Sequence, residues 1–229
     1  MEINNIYSRT EIVLGKEKLE KIKDSNICIC GIGGVGSYSL EALARVGVLN
    51  ITIIDKDIVD ITNINRQIIA TVDNVGKSKV EESKKRIKNI NPAINVKAIQ
   101  DTVNDSNINK YITTQFDYVI DAIDDVEAKI SLIKRCKEIN IPIISSMGTA
   151  NKLDPLKLKV TDISKTEMCP LAKIVRKRLR MEGINKVKVV YSTEQAIETN
   201  TKILGSVSYV PSVAGLIIAS EVVKDITTK

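Results

Sequence analysis

The chain has 229 residues, with 34 Lys and Arg against 28 Asp and Glu, no histidine, and a net charge of +6. The absence of histidine excludes a Ser-His-Asp or Cys-His nucleophile system and any His-ligated metal centre, so chemistry must rest on carboxylates, cations, backbone amides or thiols. Hydrophobic residues make up 43% and aromatics only 3%, so the core has to be built from branched aliphatic side chains, as suits an α/β protein.

Residues 27–30 read as a buried strand, and ICICGIGGVG places Gly31, Gly33 and Gly36 as G-x-G-x-x-G between that strand and a helix over 37–46. Glycines there, Gly34 included, let the backbone approach phosphates, while the helix start supplies free N–H groups and partial positive charge. Gly47 should stop the helix. A second buried strand at 51–54 runs into Asp55, placed to accept hydrogen bonds from ribose hydroxyls. The polar cluster Asn63, Asn65, Arg66 and Gln67 follows, then Lys79, which suits a triphosphate: Arg66 offers a planar fork and the asparagines donate amide hydrogens. Gly76-Lys77-Ser78 resembles the end of a phosphate loop, but Thr71 stands where the leading glycine belongs, so it reads as the start of a helix over 77–89.

Further along, 96–99, 118–120 and 141–145 read as buried strands, and 106–111 and 126–139 as helices, with Pro92 at a helix stop. The βαβ succession predicts a Rossmann-like, doubly wound, mainly parallel sheet with helices on both faces. Asp124 and Asp125 fall just past a strand end, at the sheet's carboxyl edge, where a carboxylate beside a triphosphate commonly holds magnesium. After Gly148 the pattern loosens into LKLKVTDIS, a basic helix over 171–181, a KVKVVYS strand and an apolar helix over 212–223. The basic helix carries Lys173, Arg176, Lys177, Arg178 and Arg180, with Ile174, Val175 and Leu179 expected to face the core; it reads as a platform for nucleic-acid phosphates or as a solvated face. No linker interrupts the chain, which reads as one domain over 1–229, with a nucleotide-binding half of about 1–148 and a substrate and dimer half of about 149–229.

Cys28, Cys30, Cys136 and Cys169 include no C-x-x-C pair, so neither a structural zinc site nor a disulfide framework is indicated. Cys28 and Cys30 share one strand face and read as core. Cys169 precedes Pro170 at a helix start, where a thiol can be packing or reactive. No run approaches the about 20 apolar residues of a membrane span and the start lacks a signal-peptide core, so a cytoplasmic protein without membrane attachment is expected.

Taken together, GIGGVGS, IDKDIVDITNINRQ, GKSKVE, VIDAIDDVEAK and the R-x-x-x-x-L-G of Arg9 to Gly15 resemble the ubiquitin-activating-enzyme-like superfamily of ATP-dependent adenylating enzymes. The resemblance implies Gly33 at the phosphates, Asp55 on the ribose, Asn65, Arg66 and Lys79 on the triphosphate, and Asp124 on Mg²⁺. It also implies a homodimer in which Arg9 reaches the neighbouring subunit's ATP site. Arg66, Lys79, Asp124 and Arg9 are then the catalytic set. Within the superfamily the second half is similar to the tRNA threonylcarbamoyladenosine dehydratases, which use ATP to activate the carboxylate of that nucleoside at tRNA position 37 for ring closure. That reaction requires no enzyme thiol, and a sulfur-transfer protein is a further partner to consider. Two other readings compete. A sulfur-carrier adenylyltransferase for thiamine or molybdopterin synthesis usually carries two C-x-x-C zinc pairs, which this chain lacks. An NAD-dependent reductase would leave Arg9, Asn65, Arg66, Gln67 and Lys79 unexplained.

Overall fold

A computed structural model describes residues 5–228. Helices α1 (Ser8–Leu14) and α2 (Lys16–Asp24) lead into β1 (Asn26–Cys30), α3 (Gly36–Val46), β2 (Asn50–Ile54), α4 (Lys79–Ile90), β3 (Asn95–Ile99), the short α5 (Ile108–Tyr111), β4 (Tyr118–Asp121), α6 (Val126–Glu138) and β5 (Ile143–Ser146). The remainder supplies β6 (Leu158–Asp162), α7 (Pro170–Met181), β7 (Lys188–Ser192) and α8 (Tyr209–Thr228).

The seven strands form one sheet in the order β3-β2-β1-β4-β5-β7-β6, parallel throughout except for β6, which runs antiparallel to β7. β1 feeds a crossover to β2 on one side, and β4 lies on its other side. The winding direction therefore reverses between β1 and β4, opening a crevice at their carboxyl ends. Helices cover both faces. Ile27, Ile29, Ile51 and Ile53 pack with residues of α2, α3, α4 and α8. Cys28, Cys30, Ile54 and Val119 point the other way, toward α5, α6 and α7. Burial on both faces makes the central strands continuous apolar runs, the feature that reveals them in the sequence.

Three points differ from what the sequence leads one to expect. β3 is an edge strand whose Asn95 and Lys97 are exposed, so only Val96 is buried within it. α1 and α2 had no sequence reading; α2 buries only Leu19 and Ile22, too thin a stripe to stand out among its charges. In α7 the inward residues are Ala172, Val175 and Leu179, while Ile174 is 50% exposed. The helical period explains this, since positions three and four apart share a face and adjacent ones do not.

Candidate nucleotide site

The turn after β1 is held by backbone geometry that admits glycine alone at two points. Gly31 has φ +90°, and a Cβ there would stand 2.5 Å from the Ala122 carbonyl oxygen; one on Gly36 would stand 1.9 Å from that of Gly31. These two glycines serve close packing of strand, turn and helix. Gly33 differs: a Cβ would meet nothing nearer than the Gln67 Nε2 at 3.9 Å, so its missing side chain leaves open space facing the crevice.

That crevice is a cleft of about 550 Å³. Its wall brings together Gly31, Gly33, Gly34, Asp55, Asn63, Arg66, Gln67, Lys79 and Asp124, residues spread over 94 positions of sequence. Asp55 follows β2 directly and is anchored to the glycine turn: its carboxylate accepts hydrogen bonds from the backbone N–H of Ile32 (2.5 Å) and of Asp57 (2.8 Å). Burial pushes its carboxyl above the ordinary aspartate range, against the pull of those two N–H donors. The Asn63 Oδ1 caps its own short helical turn by accepting from the Asp60 N–H (3.1 Å). Gln67 is buried with its Oε1 unpaired among the described residues, an acceptor free for a ligand inside the cleft. Arg66 is steadied by donating to the Thr62 carbonyl (2.8 Å) and the Asn65 Oδ1 (3.0 Å).

Three expected residues lie off the cleft wall. Gly36 is buried at the start of α3. Asn65 donates its amide to the Ser206 carbonyl (2.9 Å), joining the polar cluster to a segment over 140 residues later rather than facing the cleft. Arg9 is exposed on α1 and outside the cleft lining.

Two features escaped the sequence reading. Asp57 lines the cleft and pairs with the buried ammonium of Lys79 (2.8 Å). Below the cleft floor, Lys129 and Asp121 form a fully buried ion pair, Nζ to Oδ2 2.7 Å with both side chains at 0% exposure. Lys129 also donates to the Ser146 carbonyl (3.0 Å), while Asp121 accepts from the Ser145 hydroxyl and, through Oδ1, from the Ile123 N–H (3.1 Å). The pair thus ties the loop after β4, which carries Asp124, to the loop after β5; both line the cleft. The signal was present: Lys129 stands three and four residues before Leu132 and Ile133, on the apolar stripe of α6, where a charge requires a buried partner.

Cys169 is buried at the start of α7, its Sγ 3.6 Å from where a Gly148 Cβ would stand. Cys28, Cys30 and Cys136 are buried in the core. Asp125 caps α6, its carboxylate accepting from the Ala128 N–H (2.8 Å), which leaves Asp124 as the free carboxylate of that pair at the cleft.

A glycine turn, an acidic residue after β2 and a cluster of cations around one crevice at the switch point define a nucleotide-binding α/β protein of the adenylating kind. The chain belongs to the ThiF family, whose match spans residues 7–229. It is 45% identical to the tRNA threonylcarbamoyladenosine dehydratase of Bacillus subtilis (strain 168), over 96% of this chain and 94% of that protein. Crystal structures of the E. coli tRNA N6-threonylcarbamoyladenosine dehydratase in complex with ATP and with AMP superpose with a TM-score of 0.93 at 37% identity, covering 100% of this chain and 98% of theirs. Similarity to the molybdopterin-synthase adenylyltransferase of Haemophilus influenzae is narrower, 35% identity over 59% of this chain and 54% of that protein.

Proposed function

We propose that this chain is an ATP-dependent dehydratase that adenylates the carboxylate of threonylcarbamoyladenosine in tRNA and drives its cyclisation. The observation that carries the reading is the cleft: glycine amides, Arg66, Lys79 and Asp124 converge on one crevice in a chain that matches dehydratases of that name along nearly its whole length.

The inventory of groups suits the chemistry. The substrate carboxylate oxygen attacks the α-phosphorus of ATP and pyrophosphate leaves. A nucleophile of the modified nucleoside then attacks the activated carbonyl, and AMP departs with the oxygen that would otherwise be lost as water. The protein positions the reactants and neutralises phosphate charge. The turn of Gly33 and Gly34 offers backbone N–H groups ahead of α3, and Asp55 takes the ribose hydroxyls. Gln67 and Asn63 border the phosphates. Arg66 and Lys79 meet the triphosphate, Lys79 exchanging or sharing its contact with the half-exposed Asp57. Mg²⁺ fits the donor set, since Asp124 is an exposed hard oxygen ligand on the cleft wall without an ion-pair partner among the described residues; bound there it would offset phosphate charge. Ring closure is intramolecular, so neither an imidazole nor the Cys169 thiol is required.

Arg9 supports a homodimer with two composite sites, each completed by the neighbouring subunit's arginine, and a cytoplasmic enzyme is the setting in which its tRNA substrate is found. Residues 1–148 then serve the nucleotide and 149–229 the substrate and dimer contact. No helix among the described residues is long and apolar enough to cross a membrane.

The test is incubation with ATP and tRNA bearing threonylcarbamoyladenosine, followed by digestion and mass analysis of the nucleosides. Loss of one water is expected, and Arg66→Ala or Lys79→Ala should lower kcat/KM by about 10²- to 10³-fold in folded protein. An unchanged nucleoside together with pyrophosphate exchange driven by a sulfur-carrier protein would overturn the reading.

A further inference from the structure

The proposed chemistry leaves the basic surface of α7 without a task. Of its five cations, two are spent within the chain: Arg176 donates to the Thr166 carbonyl (2.7 Å), and Arg178 makes two bonds to the Glu127 carboxylate (2.6 and 2.7 Å). Lys173, Lys177 and Arg180 are exposed, and none makes an ion pair with another described residue. At about 100° per residue they lie within an arc of about 60° and along about 10 Å of the helix axis. Two carboxylates beside the helix are already occupied, Glu127 by Arg178 and Glu182 by Lys134 (2.7 Å).

Lys173 is the informative member. It sits close to the N-terminal end of α7, whose first turn contains no acidic residue. The helix dipole disfavours a cation at that end, so helix stability gives no reason for it. That same end borders the cleft: Leu171 lines it, and Cys169 packs near Gly148, which also lines it. Uncompensated positive charge therefore runs outward along α7 from the mouth of the nucleotide site.

We infer that Lys173, Lys177 and Arg180 form a phosphate-contacting track that receives the tRNA backbone beside the cleft, an inference that rests on the tRNA reading above. Arg176 and Arg178 support the helix and stand outside the track. With no aromatic residue on α7, the contact is made by charge rather than base stacking, so it is independent of sequence and steeply salt-dependent.

The test uses the full-length enzyme with Lys173→Gln, Lys177→Gln and Arg180→Gln combined, a variant confined to exposed positions. The probes are tRNA carrying threonylcarbamoyladenosine and the same tRNA without the modification. Each lost phosphate contact should cost about five- to eightfold at 0.1 M salt and 0.7–0.9 in the slope of log affinity against log salt. The triple variant should then bind both tRNAs roughly 10²-fold more weakly, with a slope shallower by about 2–3. The KM for tRNA should rise while kcat and the KM for ATP stay as in the wild type. Lys85→Gln with Lys88→Gln on α4, across the sheet, should match the wild type. A triple variant with wild-type affinity and slope overturns the track, and so does an equal loss in the α4 variant. A wild-type enzyme that neither binds nor dehydrates the modified tRNA overturns the functional reading and the track with it, and that failure appears before any variant is compared.

Discussion

Replacing Lys129 by methionine keeps an unbranched stem and removes the ammonium group that Asp121 depends on. Both partners are at 0% exposure with Nζ and Oδ2 2.7 Å apart, so solvent cannot compensate the stranded carboxylate. The Ser146 carbonyl loses its donor as well. Removing one member of a buried pair costs about 3–5 kcal/mol. With an m-value of about 2–3 kcal/mol per molar urea, the unfolding midpoint should fall by roughly 1–2.5 M. Asp121→Asn added to Lys129→Met removes both charges, and such exchanges are often close to neutral, so the double variant should recover at least about 2 kcal/mol. The loops after β4 and β5 both lean on this pair and both line the cleft. The single variant should therefore bind ATP more weakly in calorimetry under conditions where it remains folded. A Lys129→Met protein within about 1 kcal/mol of the wild type, or a double variant that loses the sum of both singles, would refute the argument.

Two other outcomes follow from the geometry. Gly33→Ala has room for its methyl group and should melt within about 0.5 kcal/mol of the wild type yet lose ATP affinity by at least about tenfold, whereas Gly31→Ala, at φ +90° and 2.5 Å from the Ala122 carbonyl oxygen, should lose about 1–3 kcal/mol of stability; a Gly33→Ala protein with wild-type affinity would place the phosphates elsewhere. Glu41 is buried and accepts from Arg45 and Arg86 (both 2.7 Å); burial pushes its carboxyl up, but the two guanidinium groups prevail and hold it below 4.5. That stabilisation is present above the unfolded value and is lost as pH falls through the folded one. Because Arg45 and Arg86 are 60% and 38% exposed, Glu41→Gln should cost only about 1 kcal/mol at pH 7, a gap that closes in urea titrations below pH 4.5 and that would contradict the argument if it widened there.

The sheet and the glycine turn were legible in the amino-acid sequence. β1, β2, β4 and β5 are each buried on both faces, so their apolar residues run without interruption and their positions can be read to within about two residues. Asp55, Lys79 and Asp124 were legible because each follows a strand end or opens a helix on the edge where ligands bind in open α/β sheets, and Arg66 because it stands in a polar cluster between β2 and α4. α1 and α2 were hidden by their charges, and Ile174 was misplaced because apolar character alone does not give the face a helical side chain occupies.

Tertiary structure alone decided how these residues are used. It took Asn65 to the Ser206 carbonyl, reserved Gly36 for packing against Gly31, gave Lys79 an acidic neighbour in Asp57, and paired Lys129 with Asp121 across a strand and a helix. It also divided the cations of α7 into two that hold the chain together and three that are left to solvent. The physical reason is the same in each case. Residue type and spacing fix which chemistry a side chain can perform, but a hydrogen bond or ion pair is a relation between two positions, and folding chooses the second.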